Sequence, residues 1–102
     1  MRRTMALVEV AIAIMGNPSG RHWGYSLMQE SGVRSGVLYP ILARMLADGW
    51  VTDGWEDPAT TGGRPPRRYY ELTEKGKREL GALLHRARSE ARFRGLNFGG
   101  VR

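Results

Sequence analysis

The sequence predicts a mainly α domain with one β-hairpin (an α+β fold), and three observations carry that expectation. Residues 35–48 hold an apolar stripe, Leu38, Ile41, Leu42, Met45 and Leu46, at the spacing of one helical face. Two strand-like pieces, residues 51–56 and 67–72, follow it directly. The loop that joins them is rich in Gly, Pro and Arg. A helix followed by a hairpin with a basic tip is the outline of a winged helix-turn-helix. The expected order is α-α-α-β-β-α in a single domain over residues 1–94. A chain of 102 residues is one domain, and 41% hydrophobic residues supply a modest core.

Taken in order, residues 4–15 form the first helix, interrupted in its apolar run only by Glu9. Arg2 and Arg3 before this run faintly imitate a secretion signal. The Ala-x-Ala lies inside the run, however, and the run is far shorter than the ~20 residues that span a bilayer. A helix apolar nearly all round must bury more than one face, so a second subunit is expected against one of them. Residues 16–20 read as a loop. Residues 23–31 form a short second helix with Tyr25, Leu27 and Met28 as apolar contacts, His22 at the surface or as a cap, and Trp23 in the core. Val33 is the single apolar residue of the turn and should pin the two helices together. The third helix, 35–48, is expected to be capped by Ser35 and stopped by Gly49. The hairpin occupies 50–72. Its tip is too long for a tight turn and is expected to move. Thr73 caps a last helix drawn over 73–94, with the stripe Leu80, Leu83, Leu84, Ala87 and Ala91, and 95–102 reads as a flexible tail.

Charge narrows the function. The formal net charge is +6, and residues 73–102 hold eight Lys or Arg against three Glu. A small, strongly basic domain suits a polyanion through counterion release. In a helix-turn-helix the third helix enters the major groove with its N-terminal residues at the base edges. Those residues are Arg34, Ser35, Gly36, Val37 and Tyr39, with Pro40 and Arg44 further along. Gly36 lets the backbone come close to a phosphate, Tyr39 offers a hydroxyl, and Arg44 reaches the DNA backbone. In the wing, Arg64, Arg67 and Arg68 are suited to phosphate and to narrow minor grooves.

The pieces Gly24-Tyr25, Gly36-Val37-Leu38-Tyr39-Pro40, Gly49-Trp50-Val51, the run from Gly63 to Thr73, and Gly76 together resemble the PadR family of bacterial transcription regulators. The match covers roughly residues 23–80. The resemblance implies a winged-helix DNA-binding domain working as a homodimer, usually as a repressor. Two departures stand out. Trp23 sits where the family often has a histidine. The chain also carries one C-terminal helix, without the separate helical dimerisation domain of longer members.

The expected partners are therefore double-stranded DNA, as an inverted repeat, and a second copy of the chain. The expected dimer interface comprises Met5, Val8, Ile12, Leu80, Leu84, Ala87 and Ala91. The absence of cysteine fits a reducing cytoplasm, with the protein on the nucleoid, and rules out thiolate metal sites. No catalytic constellation, cofactor motif or metal site is present, since the two histidines, His22 and His85, lie on different elements. Two other readings stay open. One is a winged helix that binds protein. The other is a sensor that holds a flat small-molecule effector at the dimer interface, using Trp23, Trp50 and Trp55. Operator, regulated gene, effector and sign of regulation are not encoded legibly.

Overall fold

The computed structural model describes residues 1–99. The elements are α1 (Met5–Met15), β1 (His22–Trp23), α2 (Gly24–Ser31), α3 (Ser35–Ala47), β2 (Val51–Trp55), β3 (Arg68–Leu72) and α4 (Glu74–Arg88), with short 3-10 turns at Pro58–Thr60 and Ala91–Phe93. The strands form one antiparallel sheet in the order β1-β3-β2. Leu7, Val8, Ala11 and Ile14 of α1 interlock with Leu27 of α2, Leu38, Leu42 and Met45 of α3, and Leu80 and Leu84 of α4. The result is an α+β winged helix-turn-helix.

Local chemistry explains most element ends. Thr4 caps α1 by accepting from the Leu7 amide at 3.2 Å. Val33 is buried in the turn and receives order from the Ser31 hydroxyl, which accepts from its amide at 3.1 Å. Gly49 adopts φ +73° just past α3, a conformation that glycine takes without a Cβ penalty. The cap of α3 differs from expectation. Ser35 is the first helical residue, Arg34 occupies the cap position, and neither side chain caps the free amides.

A single joint connects wing and α4. The Thr73 hydroxyl donates to the Gly49 carbonyl at 2.6 Å and accepts from the Gly76 amide at 2.9 Å. The Thr73 amide donates to the Trp50 carbonyl at 3.0 Å. A Cβ on Gly76 would overlap that same carbonyl. The separate motif pieces Gly49-Trp50, Thr73 and Gly76 thus meet at one point in space.

Four expectations are corrected. First, Trp23 ends a two-residue strand and stands at the cap position of α2, instead of being its first helical residue. Its backbone is extended and pairs with Tyr69, and its indole meets the Tyr69 ring edge-on at 6.5 Å. His22 beside it is buried and donates from Nε2 to the Asn17 carbonyl at 2.9 Å. Second, α4 stops at Arg88, not at residue 94. Glu90 is extended and its carboxylate is shared between Arg3 and Arg92, which turns the chain so that Phe93 enters the core. Third, the segment after it is not a loose tail. Leu96 and Phe98 pack on the core, and Leu96 and Asn97 lie beside Glu9 and Ile12 of α1. Gly100, Val101 and Arg102, the rest of the expected tail, lie outside the described residues. Fourth, Val8, Leu80, Leu84 and Ala87 cannot line a dimer surface in this conformation. All four are buried in the protomer's own core. The chain itself covers most of α1, because α2, α3 and α4 pack against it and the segment after α4 lies beside Glu9 and Ile12.

Candidate nucleic-acid interface

Helix α3 divides sharply. Leu38, Leu42 and Met45 have no solvent exposure, while Arg34, Ser35, Gly36, Val37, Tyr39, Pro40 and Arg44 are all exposed. All seven α3-region residues expected at a nucleic acid therefore share one open surface. Val37 is half exposed, at 49%, and offers its methyls on this face. A Cβ on Gly36 would meet nothing within 4 Å, so close backbone approach there is open to a ligand. Pro40 has no amide to give, and the helical pattern leaves the Gly36 carbonyl without its usual donor. That acceptor adds a polar group to the exposed face.

Tyr39 is braced rather than dangling. Its phenol fills the space a Cβ on Gly24 would need, so the start of α2 presses against the side of α3. This contact gives both halves of the motif, Gly24-Tyr25 and Tyr39-Pro40, a shared physical reason. Around it lies a cavity of about 350 Å³ lined chiefly by Trp23, Tyr25, Met28, Tyr39, Arg67 and Tyr70. The buried Trp23 Nε1 has no hydrogen-bond partner.

The three wing arginines are not equivalent. Arg64 forms a two-pronged pair with Glu56, Nη1 to Oε1 at 2.7 Å and Nη2 to Oε2 at 3.1 Å. Arg68 binds Asp53, with Nε donating at 2.8 Å. Arg67 instead lays its guanidinium on the ring of Tyr25, 4.8 Å from the centroid, on the α3 side of the wing. The pair with Arg64 holds the Glu56 carboxyl well below its ordinary value, at about 2, helped by the Arg67 amide and opposed by desolvation. The bond to Asp53 raises Arg68 further above its ordinary value, and burial raises Tyr70.

These pairs organise a tip that the sequence presents as loose. The Thr61 hydroxyl donates to the Arg64 carbonyl at 2.6 Å and lies 3.1 Å from the Pro58 carbonyl, and Asp57 caps the short turn by accepting from the Ala59 amide at 2.9 Å. Glu56 closes the strand ends by accepting from the Arg67 amide at 2.8 Å. Arg44 is bonded through Nε to Asp48, one helical turn on, at 3.1 Å.

Sequence reasoning placed three further exposed residues, Arg21, Tyr25 and Trp55, nowhere on the nucleic-acid surface, naming Trp55 only for a flat effector and Tyr25 only as an apolar contact. Trp55, at 67% exposure, is the most exposed large apolar side chain and lies across the strand pair from Arg68. Tyr25 carries Arg67, and Arg21 lies over Tyr69 at 4.0 Å. The exposure of Trp55 was hinted at by its place at the far end of the strand, but the two stacks depend on β1, which has no sequence signal of its own.

A four-helix core bearing a capped wing, with one helix exposed along its outer face, defines a winged-helix protein. The model of the transcriptional regulator PadR-like family matches residues 15–82, well over half of the chain, and the chain belongs to that family. Its members are transcription regulators, and the fold is that of a DNA-binding regulator. Among solved structures the chain is similar to a PadR-like transcription factor from Bacteroides fragilis, with 28% identity, TM-score 0.62, and coverage of 82% of this chain and 84% of that one. It is also similar in fold to a PadR family transcription regulator from Clostridium difficile R20291, with 22% identity, TM-score 0.64, and coverage of 78% and 86%. A third, the circadian clock associated protein Pex from Anabaena, shares the fold at 18% identity, TM-score 0.63, and coverage of 79% and 72%. No curated protein sequence matches the chain. Among the described residues no helix is long and apolar enough to cross a membrane.

Proposed function

We propose that the chain is a sequence-specific duplex DNA-binding repressor that acts as a homodimer on an inverted repeat. One observation carries this reading: the outer face of α3 is open from Arg34 to Arg44 while the inner face is fully buried. A helix held so rigidly on one side can present Gly36, Val37 and Pro40 to base edges in a major groove. Arg34, which carries no ion pair among the described residues, and Arg67, held by a ring, supply phosphate contacts. Arg64 and Arg68 act mainly on the shape of the wing and reach phosphate secondarily. For the second subunit, Met5 at 44% exposure, the half-buried Ile12 and the exposed Ala91 are the residues of the expected interface left open.

The reading is tested by titrating the chain against a candidate inverted repeat from upstream of its own coding region and against a scrambled duplex, over a range of salt. Tighter binding to the repeat, a steep salt slope and a two-protomer complex in sedimentation support it. Equal affinity for both duplexes removes sequence specificity, and a sedimenting monomer on DNA removes the dimer.

A second reading has one supporting observation. The aromatic cavity lined by Trp23, Tyr25, Tyr39 and Tyr70 suits a flat effector between α2 and the wing. That position differs from the dimer-interface slot expected from the sequence. Quenching of tryptophan fluorescence by planar compounds, abolished in Trp23→Phe, tests it.

A further inference from the structure

The residues before α1 form a fixed arm. The Thr4 amide donates to the Arg2 carbonyl at 3.0 Å, and Arg3 donates from Nε to Glu90 at 2.6 Å. Arg3 is thereby held by the turn after α4, and Arg2 is left exposed with no ion pair among the described residues. Arg2 and Thr4 face Pro40, Ile41 and Arg44 of α3 across an open groove of about 550 Å³. Arg44 bonds Asp48 through Nε, so its two terminal nitrogens remain open.

The arm lies on a particular side of α3. Tyr39 faces α2 and the wing, since it presses on Gly24 and shares a cavity with Arg67. Ile41, two residues on, is turned about 200° around the helix and faces the arm. A major groove is about 12 Å wide, close to the diameter of a helix with its side chains, and its two walls are the two phosphate backbones. A helix seated in that groove has one backbone on the Tyr39 flank and the other on the Ile41 flank.

We propose that the N-terminal arm is a second phosphate-binding element, in which Arg2, with Arg44, grips the DNA backbone on the strand opposite the one met by the wing. This rests on the duplex-binding reading above. The occupant is a phosphate of the same duplex that α3 enters, because the groove is continuous with the open face of α3 and is lined by two guanidiniums and no carboxylate. The Arg3–Glu90 bond acts as the anchor, so the arm reaches the phosphate with little ordering cost.

The test uses the full chain. Arg2→Ala should lower the log–log salt slope of duplex binding by about 0.9 per protomer, about 1.8 for the dimer, so that between 50 and 200 mM salt the wild-type dimer loses about 12-fold more affinity than the variant. Arg2→Lys should keep the wild-type slope. Arginine modification by phenylglyoxal, read by mass spectrometry, supplies an internal control. Duplex DNA should protect Arg2 together with Arg34. Protection of Arg34 with Arg2 still reactive, or an unchanged slope in Arg2→Ala, overturns the arm alone. If neither residue is protected, the duplex reading falls, and the arm falls with it.

Discussion

The phenol of Tyr39 occupies the volume that any side chain at Gly24 would claim. This contact sets how closely α2 approaches α3, and so it sets the direction of the exposed face. Gly24→Ala should push the half-exposed ring outward at little cost to the fold, because the ring can swing into solvent. Binding to duplex should fall at least tenfold while the melting temperature moves by only a few degrees. Tyr39→Phe keeps the brace and should weaken all duplexes slightly and alike. A melting scan and a titration on both variants check this pair of outcomes.

Gly76 behaves differently, because its neighbour is backbone. The Trp50 carbonyl cannot move aside without breaking its bond to the Thr73 amide. Gly76→Ala should cost about 1–3 kcal/mol by overpacking, and Thr73→Ala about 1 kcal/mol by loss of the cap. Urea midpoints measure both. The double variant should cost less than the sum, since the two substitutions damage one joint.

The wing tip should be sensitive to strong acid only. The Arg64 bond holds the Glu56 carboxyl at about 2, against an ordinary 4.5. A depressed folded pKa means that the pair contributes fully above about pH 4.5 and is lost as pH falls through about 2. A carboxyl titration by NMR should find Glu56 still ionised at pH 3. Glu56→Gln should leave the core intact and loosen the tip, seen as faster amide exchange at Arg67. A Glu56 that titrates near 4.5 would place Arg64 free in solution.

Gly36 offers the cleanest separation of fold from binding. A Cβ there meets nothing within 4 Å. Gly36→Glu should fold normally, since an acid in the first turn suits the helix dipole, yet should abolish duplex binding by setting a carboxylate against a phosphate. Val37→Ala should instead change preference at one base pair by about 1–3 kcal/mol. Normal binding by Gly36→Glu would move the interface off this helix.

The C-terminal segment should prove structural. Phe93 is 2% exposed, and Phe93→Ala should cost about 3–5 kcal/mol, measurable by denaturant unfolding. A truncation after Arg88 that melts like the full chain would contradict its place in the core.

Much of this was legible from residue spacing, and the exceptions share a cause. The α3 stripe, the Gly49 stop and the Thr73 cap are local signals, and the folded chain uses each of them. The strand at His22 and Trp23 is invisible locally, because two residues carry no alternation and the pairing partner, Tyr69, lies far along the chain. The end of α4 was misplaced for a similar reason: Leu83, Ala87 and Ala91 keep helical spacing, but the chain turns at Glu90 to meet Arg3, 87 residues away. The open face of α3 was readable from its small residues. The division of labour among Arg64, Arg67 and Arg68 was not, because it depends on which carboxylate or ring each one finds across the hairpin.

One further consequence follows from the joint at which Thr73, at the end of β3, bonds the Gly49 and Trp50 carbonyls just past α3, while the Trp50 amide bonds the Met45 carbonyl inside it. Helix and wing are tied there into a fixed gauge between the two points that would touch a duplex. Such a gauge measures distance as well as chemistry. A duplex whose natural groove spacing matches it is gripped without bending, and one that must be deformed to fit carries an elastic penalty. Base pairs that no side chain touches would then still influence affinity, through the stiffness they lend to the stretch between helix and wing.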